Sequence, residues 1–395
     1  KNKFIETASV DIKETKEIIS FIKANFPNKK GPIPIHEPFF GGNEKQYLID
    51  CVESTFVSSI GAYVNKVEAE LEKICSVKKA VAVVNGTAAL HTALHVIGVE
   101  YGNEVLTQSL TFVATANAIK YCGASPIFID VDIDTMGMSP SSLSNFLESE
   151  AIIKNNQCFN KVTGAKISAC IPMHTYGFPV RIEEICEICR KWKIPVIEDA
   201  AEGLGSQYKT KSLGTFGDIG ILSFNGNKII TAGGGGAILT NNLEYAKKAK
   251  HVTSTAKLPN THEFKHDQLG FNYRMPNLNA ALLLAQLEQI DSFLSNKREL
   301  ANLYKNYFDS IGITFRWENN NSKVNFWLMC IEFDTKKNRD LFLIESNKSG
   351  VMTRPTWELM HTLPMYQKCI SDEQKNAIHL QERIVNIPSS YRNNK

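Results

Sequence analysis

The sequence predicts an α/β protein: a large, mostly parallel sheet covered on both faces by helices, followed by a smaller α+β unit. From about residue 80, short apolar strands alternate with amphipathic helices, the rhythm of a parallel sheet with crossover helices. A 395-residue chain that is 43% hydrophobic can bury a large core. Beyond about residue 305 the pattern turns to shorter mixed elements.

In chain order, residues 1–31 read as a polar helical extension ending at Lys29-Lys30-Gly31-Pro32. Residues 32–290 read as the large domain and 291–395 as the small one. Within the large domain, strands are expected at Ala80–Val84, Val105–Thr107, Pro126–Val131, Ile167–Met173 and Pro195–Asp199. Helices are expected between them, at Thr87–Val99, Phe112–Tyr121, Ser139–Glu150 and Arg181–Lys193. The polar stretch Glu150–Lys166 reads as a loop insertion. Further strands fall at Ile219–Phe224 and Gly236–Thr240, then one long helix over about Asn277–Lys305. The tail reads as a strand at Phe326–Phe333, a helix at Lys337–Ser349 and a short strand at Val351–Thr353.

Composition excludes some classes of partner. Forty-four basic against 41 acidic residues leave a net charge of +3, which gives no reason to expect nucleic acid or an anionic membrane. The basic run Lys247-Lys248-Ala249-Lys250 reads as the wet face of a helix. Nine scattered cysteines form no secreted disulfide framework, so a reducing, cytoplasmic setting is expected. Cys186 and Cys189 share helical spacing with Ile182 and Ile185 and read as a buried face rather than a redox pair. No apolar run approaches the ~18 residues of a membrane span.

Three segments carry chemistry, because ligands of open parallel sheets bind at the carboxyl ends of strands. The first is Asn85-Gly86-Thr87-Ala88-Ala89-Leu90, at a strand-to-helix junction. Gly86 permits close backbone approach, and Thr87 with the free amides of a helix start can hold a phosphate. The second is Glu198-Asp199 at the end of an apolar strand, where one side chain points into the crevice and the other away. A buried carboxylate needs a cation or donors, and a pyridinium N–H meets that need. The third is Ser223-Phe224-Asn225-Gly226-Asn227-Lys228, followed by the glycine run 233–236. A partly desolvated lysine there can form a Schiff base.

The chain resembles the DegT-type sugar aminotransferases, members of the fold type I (aspartate aminotransferase-like) group of pyridoxal-phosphate enzymes. The resemblance runs from about Ile33 to Tyr391. It rests on the three segments above together with Thr111-Phe112-Val113-Ala114-Thr115 and Gly270-Phe271-Asn272-Tyr273-Arg274-Met275. It implies pyridoxal 5'-phosphate, cycling through its pyridoxamine form, with Lys228 as Schiff-base lysine and proton shuttle. Asp199 should pair with the pyridine nitrogen, Phe112 stack on the ring, and Gly86, Thr87 and Ser223 bind the phosphate. Glu202 should lie near the phenolic oxygen, where many relatives carry Gln or His. Asn272 should reach the phosphate from a second subunit, implying a homodimer with shared active sites. Asn225, where some relatives have His, is assigned no role.

Finer marks, such as Ile35-His36-Glu37-Pro38 and Ile171-Pro172-Met173-His174-Thr175-Tyr176-Gly177, are similar to those of legionaminic acid aminotransferases. They imply L-glutamate as donor and a UDP- or GDP-linked 2-acetamido-4-keto-6-deoxyhexose as acceptor. Arg354, Trp357 and His361 are candidates to face that sugar nucleotide. Sugar dehydratases and deoxygenases of the same fold replace the lysine by His, so Lys228 argues against them. Lys228 and Asp199 together disfavour a non-catalytic regulator. His262-Glu263-Phe264-Lys265-His266 is formally a zinc motif, but it falls in an expected loop. No metal is therefore expected. His91 and His95 read as core or interface residues.

Overall fold

The computed structural model describes residues 12–259 and 262–393. Two sheets form its centre. One has the strand order Lys79–Val83, Gly236–Thr240, Ile219–Ser223, Ile197–Asp199. The other runs Ser125–Ile129, Glu104–Gln108, Ile167–Ile171, all parallel. Parallel bridges Cys170–Val196 and Met173–Asp199 join them into one seven-stranded surface. Only Gly236–Thr240 runs antiparallel to its neighbours. The expected mostly parallel sheet is therefore present. The carboxyl ends of Lys79–Val83, Ile197–Asp199 and Ile219–Ser223 share one edge, which gathers the three chemical segments.

Glycines let two of those segments touch. A Cβ on Gly86 would sit 3.0 Å from Ser223 Cβ, and one on Gly236 would sit 2.5 Å from the Asn85 backbone. Gly233 adopts φ +76°, which favours glycine. The glycine run thus serves one left-handed turn and one close approach.

Four boundaries differ from the sequence reading. Glu150–Lys166 is not a plain loop: Ala151–Lys154 and Gln157–Asn160 form an antiparallel hairpin. Its two-residue turn is Asn155-Asn156, at φ 49° and 60°, a turn that Asn tolerates and that matches strand twist. The long helix is two, Asn277–Leu287 and Ile290–Ser310. Gln286 and Gln289, at the break, both donate to Glu44 Oε1 at 2.7 Å, a tertiary tie that helical periodicity does not report. The expected strand Phe326–Phe333 shrinks to Met329–Glu332, because Phe326 is left-handed at φ 50°. Val351–Thr353 is not a strand: Val351 makes a single bridge to Ile33, and the strand is Arg354–Pro355.

Met329–Glu332 pairs antiparallel with Thr314–Phe315 and Ile384–Ile387, and the latter pairs with Arg354–Pro355, in a separate four-stranded sheet. Residues 1–11 of the expected extension lie outside the described residues. The remainder is not merely polar. Helix Ile12–Ala24 buries Ile18, Ile19 and Ile22, and Phe21 stacks on Tyr307 at 3.7 Å. Among the described residues no helix is long and apolar enough to cross a membrane.

Candidate active site

A cavity of about 640 Å3 opens where the strand ends converge. Seven of the eight expected site residues line it: Gly86, Thr87, Phe112, Asp199, Glu202, Ser223 and Lys228. The eighth, Asn272, does not. It is exposed on a segment bridged to Ser254, away from this chain's own cavity. The reason is topological: Asn272 belongs to a stretch that runs beside Val83–Val84, on the outer side of the strand.

Asn85, extended just beyond the strand Lys79–Val83, caps the following helix, its Oδ1 accepting the Ala88 amide at 2.7 Å. Gly86 and Thr87 take the first helical positions, whose N–H groups have no acceptor within a helix and favour anions. Ser223, at the end of its own strand, adds a hydroxyl to the same corner.

Asp199 and Glu198 diverge as alternation requires. Asp199 lines the cavity and is buried. Its Oδ2 accepts from Thr115 Oγ1 at 2.7 Å and its Oδ1 from the Ala201 amide at 3.2 Å. Thr111 Oγ1 lies 2.7 Å from the Thr115 hydroxyl and 2.9 Å from Met173 Sδ. Burial pushes the Asp199 carboxyl above its ordinary range, against the opposing pull of these bonds and of Lys228. Glu198 points the other way and is fully enclosed.

Lys228 Nζ donates to Glu202 Oε1 at 3.1 Å, with its side chain 13% exposed. Glu202 Oε2 accepts the Tyr176 amide at 2.8 Å. Burial raises the Glu202 carboxyl too, with Lys228 as the main opposing influence. Phe112, 49% exposed at the mouth of the helix Val113–Tyr121, presents an open ring beside Trp357.

Several cavity residues carry no role in the sequence reading. Thr115 lies within a quoted motif, and a hydroxyl one helical turn after Thr111 was a usable signal. Tyr176 is left-handed at φ 55°, and its hydroxyl is held by Thr356 at 2.8 Å and Asn386 at 3.1 Å. Trp327 approaches Lys228 from about a hundred residues along the chain, with no local signal. Arg354 and Trp357 line the cavity as expected. His361 does not: it turns to Ser109, 2.7 Å away. His266 sits in a non-helical segment, 2.8 Å from the Thr255 carbonyl, so the formal zinc motif has no helical face. His91 contacts the Tyr273 hydroxyl at 3.1 Å.

The profile of the DegT/DnrJ/EryC1/StrS aminotransferase family matches residues 39–394. The chain belongs to that family. It is accordingly a pyridoxal-phosphate-dependent sugar aminotransferase of fold type I. It is 39% identical over 359 residues to a GDP-perosamine synthase of Escherichia coli O157:H7, covering 90% of this chain and 93% of that one. It is 38% identical to the putative pyridoxal phosphate-dependent aminotransferase EpsN of Bacillus subtilis, covering 86% and 84%. Among solved structures, Helicobacter pylori PseC, an aminotransferase of pseudoaminic acid biosynthesis, superposes with TM-score 0.81 at 25% identity, covering 90% and 93%.

The donor set of the cavity fits the family's cofactor. Helix-start amides with the Thr87 and Ser223 hydroxyls suit a phosphate. A buried carboxylate whose pKa burial has raised suits a protonated ring nitrogen. A lysine amine in the same cavity suits an aldehyde.

Proposed function

We propose that this enzyme moves an amino group from L-glutamate to C4 of a nucleotide-linked 4-keto-6-deoxyhexose, for bacterial surface-glycan or nonulosonic acid synthesis. The carrying observation is Lys228 beside Glu202, in one cavity with Asp199 and the Gly86–Thr87 helix start. Pyridoxal phosphate supplies the electron sink that lets a proton leave the donor's α-carbon. Lys228 Nζ anchors it, then takes that proton and carries it onward. In the second half-reaction the same nitrogen delivers a proton to C4 of the sugar. Asp199 keeps the ring nitrogen protonated, Glu202 faces the phenolic oxygen, and Phe112 covers the ring. Gly86, Thr87 and Ser223 hold the phosphate. Placement of Lys228 in the turn that follows Ile219–Ser223, beside the strand end that bears Asp199, provides the effective concentration.

For the carrier, three relatives at 33–39% identity are named GDP-perosamine synthase, which favours GDP over UDP. A 2-acetamido sugar of the legionaminic acid type is the second reading, favoured by the Ile35-His36-Glu37-Pro38 segment. Arg354 and Trp357 at the cavity wall are placed to meet the sugar nucleotide. We assign a homodimer: Asn272 is exposed and outside its own cavity, and the single segment 49–60 leaves Ile49, Val52, Phe56 and Ile60 exposed. Asn272 then completes the phosphate site of the partner. Nine free cysteines favour a cytoplasmic setting.

The test is spectroscopic. L-Glutamate added to the holoenzyme should abolish the aldehyde-form absorption band, and a GDP-linked 4-keto-6-deoxyhexose should restore it. No change with glutamate overturns the donor. Restoration only by UDP-linked sugars overturns the carrier.

A further inference from the structure

Lys228 has a second partner besides Glu202. Its Nζ lies 4.2 Å from the centroid of the Trp327 ring. Trp327 is only 3% exposed, lines the cavity, and is fixed at both its backbone and its indole. The indole N–H donates to the carbonyl of Asn227, the residue before Lys228, at 2.6 Å. The Trp327 amide donates to Asn325 Oδ1 at 2.9 Å. Its carbonyl accepts from Ser389 Oγ at 2.7 Å and from the buried Lys297 Nζ at 3.3 Å. Asn325 in turn donates to the carbonyl of Glu202 at 2.8 Å. The ring is thus tied to the backbone of Asn227 and, through Asn325, to that of Glu202, which carry the two sides of the amine's surroundings.

The backbone pays for this placement. Phe326 is left-handed at φ 50°, a conformation a bulky residue keeps only when its surroundings hold it. That turn delays the strand until Met329 and leaves Trp327 on the cavity wall.

From this geometry we infer that the Trp327 ring is the seat on which the Lys228 ammonium rests whenever that nitrogen is not bonded to the cofactor. The inference rests on Lys228 being the reactive amine. A shuttling lysine alternates between neutral amine and ammonium. The face of an indole attracts a cation, most strongly where water is excluded, and it cannot accept a proton. The ring therefore holds the ammonium beside the reacting carbons without discharging it, and loses its grip once the proton has been delivered. A carboxylate such as Glu202 holds an ammonium as an ion pair and offers a competing base. With Glu202 on one side and Trp327 on the other, the amine is steered between two fixed partners.

Two measurements test the seat. In holoenzyme with glutamate, exchange of the α-proton with solvent deuterium should slow roughly tenfold in Trp327→Leu and about threefold in Trp327→Phe, following the strength of the cation–ring attraction. The glutamate KM should change less than the rate. Exchange at the wild-type rate in folded Trp327→Leu, with its cofactor band intact, overturns the inference. The second measurement needs no cofactor. In the cofactor-free full chain with 13C-dimethylated lysines, the Lys228 signal, assigned by its absence in Lys228→Arg, should be shifted upfield by the indole ring. A wild-type Lys228 signal at the position of exposed lysines overturns the seat, even if the variants fail to fold. Failure of the proposed function reads differently: glutamate would leave the wild-type absorption unchanged, whatever the position of the Lys228 signal.

Discussion

Glu198 and Asp199 are adjacent acids on one strand, and their surroundings differ in kind. Glu198 accepts the amides of Gly214, Phe216 and Gly217 at 2.5–2.9 Å and lies 2.9 Å from His174 Nε2. His174 Nδ1 accepts the Val180 amide, so its Nε2 carries the proton and donates to Glu198. Asp199 has two donors, Thr115 and Ala201, and burial raises its pKa. The first acid is saturated by its own protein and ties a loop to the strand. The second is buried with acceptor capacity left over, facing a cavity. The two lysines repeat the contrast. Lys297 is 2% exposed and bonds two backbone carbonyls, Trp327 and Ser389, which match the two N–H groups of a neutral amine. Lys228 faces the cavity with a carboxylate and a ring. Saturation marks the structural member of each pair, and incomplete satisfaction marks the chemical one.

Substitution should separate the acids. Asp199→Asn should lower turnover on the order of 10²–10³-fold with the fold intact, since it removes a charge aimed at the cofactor. Turnover within a factor of three of wild type would erase the distinction. Glu198→Ala should act on stability instead. It strands three amides and the His174 N–H, and should cost on the order of 3–5 kcal/mol, since each buried donor left without an acceptor costs about 1–3 kcal/mol. Urea unfolding of the cofactor-free chain measures this; an unchanged midpoint would contradict the structural role.

Thr115→Val asks whether Asp199 depends on its hydroxyl. Losing a bond to a charged acceptor is worth about 1.5–3 kcal/mol. The variant should release cofactor more readily in a dialysis titration, while its unfolding midpoint moves less than that of Glu198→Ala. The mildest effect concerns Lys297, whose pKa burial lowers to about 7. An unfolded lysine titrates near ~10.4. Between these values the unfolded chain binds one more proton, so stability rises with pH across that window. Relative to Lys297→Met, the wild type should gain about 1.4 kcal/mol from pH 7.5 to 8.5. Parallel unfolding curves for the two proteins over that range would show that Lys297 does not titrate there.

Much of the site was legible along the chain because its parts are local. A Gly-Thr at a strand-to-helix junction, an acid pair ending an apolar strand and a lysine after another strand each announce themselves within a few residues. The hairpin at Asn155-Asn156 was missed by the loop reading of Glu150–Lys166, although Asn-Asn is local chemistry for a left-handed turn. The break between Leu287 and Ile290 was not legible, since it depends on Glu44, some 240 residues earlier. Trp327 and Lys297 escaped for the same reason: nothing near them in sequence marks Trp327 as a neighbour of Lys228, or Lys297 as bonded to the carbonyls of Trp327 and Ser389.

By itself the sequence determined the alternating sheet and helix order, the strand end that bears Asp199, the post-strand segments that bear Gly86 and Lys228, and the family. These follow from periodicity and from short motifs, which are properties of a few consecutive residues. Only the tertiary structure decided that Glu198 is saturated and Asp199 is not, and that Glu202 and Trp327 flank Lys228. Those outcomes depend on which distant groups supply donors, acceptors and burial. A side chain's chemistry is set by the partners that surround it, and folding brings those partners from remote parts of the chain.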